Sequence, residues 1–556
     1  MTTIETKNTT QISLILCVLL SVFFGYELGN RPFANPDEGR YVEIPREMVM
    51  SGDYVTPRLN TLKYFEKPPL FYWMQAASIK IFGINETSMR IWLVIFAVLG
   101  CLSVFFASIL YGNSVIAALT STGVLATTLL YYIHSRLIIL DLVLSVFISA
   151  SLWCFFLAFV SDRKRKANEK KALVISMYAL AALAGITKGL IGIALPGMVA
   201  FLWIAFTKNW KKIKEILYLP GIITFLTIFL PWHIIVCLRN PDFFNFYFIH
   251  EHFLRYTTTV HQRFEPMWFF IPITLLGLFP WTGFAIAALK NAINSIKKSE
   301  NIFLLSWVFG ILAFFSLSNS KLIPYILPIF PPIAYMIGTM LVNIEGERDF
   351  KVGSYLSVVI TVILIAVFVV IRNEDKIAVV VQHPDIITII SVFGIMMAAS
   401  AVTLLCGIFF KLDRVLIIAL YTLLSANMLW IINKAIPYYQ DIKKPSTKEI
   451  AETIRINMKD GDAVFCYGKY YQDFPVHLNS QVGVVDDVDE LEFGMNSEKD
   501  RKVIFSSDEF WDLWKTSSQR IFLLLSREKY RELFTGKNFN HVMIDFDKHF
   551  IAISNF

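Results

Sequence analysis

Between Gln11 and Ile432 the chain offers one bilayer-length apolar stretch after another, parted only by short polar breaks. A hydrocarbon core about 30 Å thick takes roughly 20 residues of α-helix, and lipid offers no partner for open backbone groups. Such runs have to fold as spanning helices. Thirteen are expected, near residues 11–29, 90–111, 114–132, 137–160, 172–187, 189–207, 216–238, 267–289, 302–317, 322–342, 354–372, 385–410 and 414–432. With 55% hydrophobic residues and a mean hydropathy of +0.55, the 556-residue chain carries too much apolar surface for a soluble protein of several domains. The expected class is a polytopic α-helical membrane protein.

The loop charges orient it. With the N-terminus inside, the lysine- and arginine-rich loops at 162–171, 208–215 and 290–300, and the loop 343–353, all emerge inside, as the positive-inside rule requires. The loop 30–89, the turns at 133–136, Lys188 and 318–321, the loop 239–266 and everything after Ile432 then lie outside. Much of the formal net charge of +7 sits in the inner loops, where it sets topology and argues against a nucleic-acid partner. The stretch Ile12 to Leu28 follows no basic segment and ends in no small-residue cleavage signal, so it is expected to stay as the first span. Five of the six cysteines lie inside apolar runs, leaving Cys466 in the polar tail, and no disulfide framework is implied.

Residues 433–556 change character. Short apolar runs at 463–467, 482–485, 502–505, 521–525 and 541–544 alternate with helical stretches, one of them starting at Ser446 or Thr447 with Glu449 in its first turn. That alternation predicts a small α/β domain. The expected organisation is a transmembrane domain over 1–432, carrying the external loops 30–89 and 239–266, and an external domain over 433–556.

The polar residues that interrupt the apolar pattern gather at the outer face. Asn35-Pro36-Asp37-Glu38-Gly39-Arg40-Tyr41 sets two adjacent carboxylates in a turn, able to accept a proton or bind a cation, or simply to be solvated. Glu66-Lys67-Pro68-Pro69 stiffens an acid and a base ahead of an aromatic cluster that ends in Tyr72 and Trp73, which equally suits an interfacial anchor. Asp141 lies in an otherwise apolar run near the outer end of its span, where a charge needs a polar cavity or a partner; His134 and Arg136 are within reach in sequence. Lys188 occupies a very tight turn, against the charge bias of that face. His250-Glu251-His252, Arg255, His261 and Arg263 crowd one loop with imidazoles that could hold a divalent ion, and Lys321 with Tyr325 follow a later turn. Basic groups at this level predict an anionic ligand such as a lipid phosphate, with carboxylate chemistry beside it. A transporter would instead place its ionisable groups near the bilayer midplane on broken, repeated helices.

Taken together, Asp37-Glu38-Gly39-Arg40-Tyr41, Glu66-Lys67-Pro68-Pro69, the Arg136 to Asp141 segment, Thr187-Lys188-Gly189 and Lys321-Leu322-Ile323-Pro324-Tyr325 resemble the GT-C glycosyltransferases related to the dolichyl-phosphate-mannose protein mannosyltransferases. Nearest in pattern is their bacterial branch, the lipid A aminoarabinose transferases. The resemblance implies a GT-C fold of about thirteen spans with a periplasmic C-terminal domain, in the bacterial inner membrane. It implies transfer of a sugar, 4-amino-4-deoxy-L-arabinose first, from undecaprenyl phosphate to a lipid A phosphate with inversion, which would lower surface charge and resist cationic peptides. Another sugar, or a protein hydroxyl as acceptor, is the alternative. It assigns Asp37, Asp141 and Glu38 to catalysis, and Lys67, Arg255, Lys188, Tyr325, Lys321 and Tyr41 to the donor and its phosphate. Glu66 and His250, or His252 instead, would ligate a divalent metal, zinc being expected. Whether Asp37 acts as a base or an organiser depends on the acceptor.

Overall fold

A computed structural model of the chain describes residues 3–254, 265–342, 347–371, 384–498, 501–534 and 540–556. Its contacts divide into two compact units.

The first unit comprises Met1–Leu28, Ile91–Ile234 and Phe248–Ile436. Each expected span falls on a helix or a broken helix. Among the described residues nine helices are long and apolar enough to cross a membrane, and three shorter apolar helices join them, Thr9–Gly25, Val115–Ala126 and Ile191–Thr207. Phe270–Gly277 and Thr282–Asn294 form a further pair bent by 112°. Pro280 lies in that break, where its missing N–H cannot continue the helical ladder. Without a hydrophobic drive between helices in lipid, small residues let backbones close in. Gly338 faces Ser121 so tightly that an added Cβ would lie 2.5 Å from the Ser121 nitrogen, and Gly283 meets the Ser357 nitrogen at 2.3 Å.

The second unit joins Gly29–Arg90, Ile235–Tyr247 and Pro437–Phe556. The first loop, expected to go with the spans, groups here with the tail. Polar bonds far apart in sequence account for this. Asn60 donates to the Val482 carbonyl at 2.8 Å and accepts from its N–H at 3.2 Å, and Arg58 pairs with Glu498 at 2.9 Å. The loop carries helices Asp37–Ser51 and Leu70–Phe82 and an antiparallel hairpin of β1 (Arg58–Leu59) and β2 (Leu62–Lys63).

The tail forms a six-stranded sheet of β3 (Ala463–Tyr467), β4 (Gly483–Val485), β5 (Ile504–Phe505), β6 (Ile521–Ser526), β7 (Val542–Phe546) and β8 (Phe550–Ser554), in the order β5-β4-β3-β6-β8-β7. The first four are parallel and β8 runs antiparallel to both β6 and β7. Helices cover the faces, and Phe465, Leu523, Ile553 and Trp514 lie in one buried cluster. The expected strands are present, β4, β5 and β7 shorter or shifted and β6 one residue longer, and β8 is an addition. Thr447 does cap Lys448–Asn457, but its hydroxyl turns to Asp473 rather than to its own helix.

Candidate active site

Two groups of the expected site residues take shape, one in each unit.

In the first unit Asp141 opens the helix Asp141–Phe155 and Lys188 closes the helix Ala167–Lys188. The helix dipoles favour an acid at the first position and a base at the last. Gly189, with φ +90°, ends the second helix in a conformation that costs a side-chain-bearing residue dearly, which holds the lysine at the turn. The two charges form an ion pair, with side chains only 11% and 14% exposed. The Lys188 ammonium also lies 4.7 Å from the centre of the Tyr325 ring, a cation–π contact. The structure thus joins three expected residues from three distant stretches. Among the described contacts no hydrogen bond joins His134 or Arg136 to Asp141: the His134 Nδ1 bonds the Leu130 carbonyl at 2.7 Å, and the Arg136 guanidinium lies over Tyr132 at 4.9 Å. Lys321 is buried and donates to the carbonyls of Ser318 (2.6 Å) and Glu265 (2.8 Å), which turns its ammonium toward the loop backbone. His250 has its Nδ1 3.6 Å from Glu251.

In the second unit the two adjacent acids of the first loop part company. Glu38 is buried, accepts two bonds from Arg31 at 2.7 and 2.8 Å, another from Arg90 at 2.7 Å and one from the Ala34 N–H at 2.9 Å. Burial alone would raise its pKa, but Arg31 and Arg90 override that and hold the carboxyl well below the usual range. A carboxylate so engaged holds the first loop together through Arg31, Arg90 and the Ala34 N–H. Asp37 is the exposed one, its side chain 41% open, with the Lys444 ammonium at 2.8 Å and Arg40 at 3.9 Å. Arg40 pairs with Glu490 at 2.6 Å; burial opposes its charge, but Glu490, Tyr64, Glu66 and Asp37 keep the guanidinium firmly ionised. Lys67 donates to the Glu66 carbonyl at 2.7 Å and sits 3.7 Å from its carboxylate. Tyr41 is buried among Phe71 and Tyr72, 5.7 and 5.8 Å between ring centres.

Arg255 and the side chain of His252 lie outside the described residues. Glu66 belongs to the second unit and His250 to the first, and among the described residues no three His, Cys, Asp or Glu side chains group as metal ligands would. Arg40 stands in the sequence only as a member of the Asp37–Tyr41 motif, with no role of its own, and Lys444 is unmarked there, being one cation in a polar stretch.

Residues 14–247 match the family described as dolichyl-phosphate-mannose-protein mannosyltransferase, and residues 450–555 match the aminoarabinose transferase C-terminal domain. An undecaprenyl phosphate-alpha-4-amino-4-deoxy-L-arabinose arabinosyl transferase of Proteus mirabilis is 35% identical over 61% of this chain and 60% of its own length. One of Aeromonas hydrophila is 31% identical over 64% and 65%. The aligned part thus spans less than two thirds of either relative. Among solved structures, ArnT of Cupriavidus metallidurans in the apo state superposes with a TM-score of 0.85 at 26% identity over 98% of both chains. The same protein bound to undecaprenyl phosphate gives 0.81 at 25% identity over 100% and 99%.

The fold is that of the GT-C class, and the matched segments are similar to membrane glycosyltransferases. Within that class the chain is similar to the aminoarabinose transferases.

Proposed function

We propose that this chain transfers 4-amino-4-deoxy-L-arabinose from undecaprenyl phosphate to a phosphate of lipid A, at the periplasmic face of the bacterial inner membrane. The likeness over the whole chain to ArnT, one structure of which holds undecaprenyl phosphate, carries this reading. The Asp141, Lys188 and Tyr325 cluster gives it chemistry.

In the reaction the bond from sugar C1 to the lipid phosphate oxygen breaks, and its electron pair leaves with undecaprenyl phosphate. A lipid A phosphate oxygen forms the new bond at C1 from the opposite side, inverting the anomeric centre. The transition state has oxocarbenium character at C1 and growing charge on the departing phosphate. Lys188, held in place by Asp141 and Tyr325, is assigned to that charge, as are Lys67 and Arg255; each well-placed donor contributes about 3 kcal/mol. The acceptor phosphate is already anionic and gives up no proton, so Asp37 orients rather than deprotonates. Toward a protein hydroxyl, the second reading favoured by the mannosyltransferase match of residues 14–247, Asp37 would be the general base.

Mass spectrometry of lipid A from cells with and without the gene tests the acceptor and sugar: aminoarabinose on the phosphates is expected only with the gene, and identical profiles refute the reading. Purified protein should move the sugar from a synthetic undecaprenyl-phosphate donor and lose that activity in Asp37→Asn and Lys67→Ala.

A further inference from the structure

We infer that Asp473, in the C-terminal part of the chain, is a positioning residue that fixes the Asp37 carboxylate by clamping the turn around it. The inference rests on Asp37 facing the substrates as proposed above, and it gives the tail a part in turnover.

Asp473 has no exposed surface, and both of its oxygens are taken. Oδ2 accepts from the Ser446 hydroxyl at 2.6 Å and the Thr447 N–H at 2.8 Å. Oδ1 accepts from the Thr447 hydroxyl at 2.9 Å and from the Asn35 amide at 2.6 Å. The Asp473 N–H returns a bond to the Asn35 Oδ1 at 3.1 Å, and the Asn35 amide also reaches the Pro445 carbonyl at 3.0 Å. Both ends of the Asn35 side chain are therefore held by the tail.

On the other side of Asp37 stands Gly39. A Cβ there would lie 2.5 Å from the Asp473 nitrogen and 2.7 Å from the Gln472 carbonyl carbon, so the turn lies flat against that backbone and only glycine fits. The clamp grips the residues two before and two after Asp37. The segment it orders continues to Lys444, whose ammonium meets the Asp37 carboxylate at 2.8 Å. A buried carboxylate with four donors is rigid, because each bond lost strands a buried polar group. That rigidity passes to the one exposed acid of the turn.

A role limited to stability would change how much protein folds and leave turnover per folded molecule alone. Misplacing a reacting group by about 1 Å instead costs on the order of a hundredfold in rate. The variants are Asp473→Asn, Asn35→Ala and Lys444→Met in the full-length protein in detergent, with gel filtration to select folded material. With undecaprenyl-phosphate aminoarabinose as donor, kcat is expected to fall about tenfold or more while the donor KM stays within about threefold. Hydrogen exchange at the amides of residues 37–41, measured without substrate, should quicken in Asp473→Asn and Asn35→Ala. Should Asp473→Asn fail to fold, Asn35→Ala and the half-exposed Lys444→Met decide. A kcat within about twofold of wild type in the folded variants overturns the inference, whatever the exchange rates. If the wild-type chain moves no aminoarabinose, the proposed substrate has failed; the clamp is then judged on exchange at 37–41, and unchanged protection overturns it.

Discussion

Lys188 and Asp141, 47 residues apart in the chain, meet as an ion pair between the end of one helix and the start of another. Each charge sits where the dipole of its own helix favours it, and the Tyr325 ring closes over the ammonium. A lysine set against the charge bias of its face and an acid in an apolar run thus explain one another.

Removing one member strands the other. Breaking a buried pair by deleting one partner costs about 3–5 kcal/mol, whereas deleting both can be close to neutral. Lys188→Met should therefore unfold at a lower temperature than the double variant Asp141→Asn with Lys188→Met, while both lose transfer. Equal melting temperatures would show that the pair contributes nothing to stability.

The neighbouring acids of the first loop should fail in different ways. Asp37 is half open to solvent, so Asp37→Asn is expected to lower turnover by about a hundredfold or more with melting almost unchanged. Glu38→Gln leaves Arg31 and Arg90 buried without their counter-charge and should cost on the order of 3 kcal/mol of stability. Thermal unfolding beside initial rates separates the two effects, and a Glu38→Gln protein of normal stability and no activity would overturn the assignment.

Residue by residue, what the sequence could tell follows from contrast. Asp141, Lys188 and Lys321 are charged where their neighbours are apolar, so hydropathy alone singles them out; that Lys188 answers Asp141 while Lys321 faces carbonyls depends on packing that no spacing encodes. Asp37 and Glu38 are indistinguishable as letters, and only the burial of one beside Arg31 and Arg90 tells them apart. Lys444 and Asp473 sit among other polar residues and carry no signal of their part at the first loop, because their partners there, Asp37 and Asn35, lie about four hundred residues away. The spans were legible since a bilayer imposes one length and one composition on each. The union of the first loop with the tail was not, for it is built from pairs such as Asn60 with Val482 that no periodicity foretells.

Two acids of the first loop should tilt stability with pH in opposite senses. Folded Glu38 titrates well below the ordinary 4.5, so its stabilisation is complete above that value and is lost as pH falls beneath it. Glu47 is pushed up to about 8, by burial first and by the adjacent Glu43, although the Thr61 N–H bonds to its carboxylate at 2.9 Å pull the other way. Its folded form keeps a proton that the unfolded chain releases above about 4.5, so its contribution declines as pH rises from there to about 8. Glu47→Gln should flatten the melting temperature against pH between those values and exceed wild type at the upper end. An unchanged slope would mean that Glu47 is ionised in the fold.

The last expectation concerns the helices themselves. Gly338, on Phe330–Val342, lies against Ser121 of Val115–Ala126, where a Cβ would fall 2.1 Å from the Ser121 hydroxyl and 2.5 Å from its backbone nitrogen. The hydroxyl is already committed to the Ala117 carbonyl at 2.8 Å, and the nitrogen is part of the helix, so neither can step aside cheaply. Two helices that touch through a glycine must part to admit a larger side chain, and overpacking of this kind costs about 1–3 kcal/mol. Gly338→Val should therefore lower the melting temperature and shorten the active lifetime in detergent, whereas Gly197→Ala, with open space around its Cβ, should do neither. Equal stability of the two variants would mean that this helix contact is looser than its geometry states.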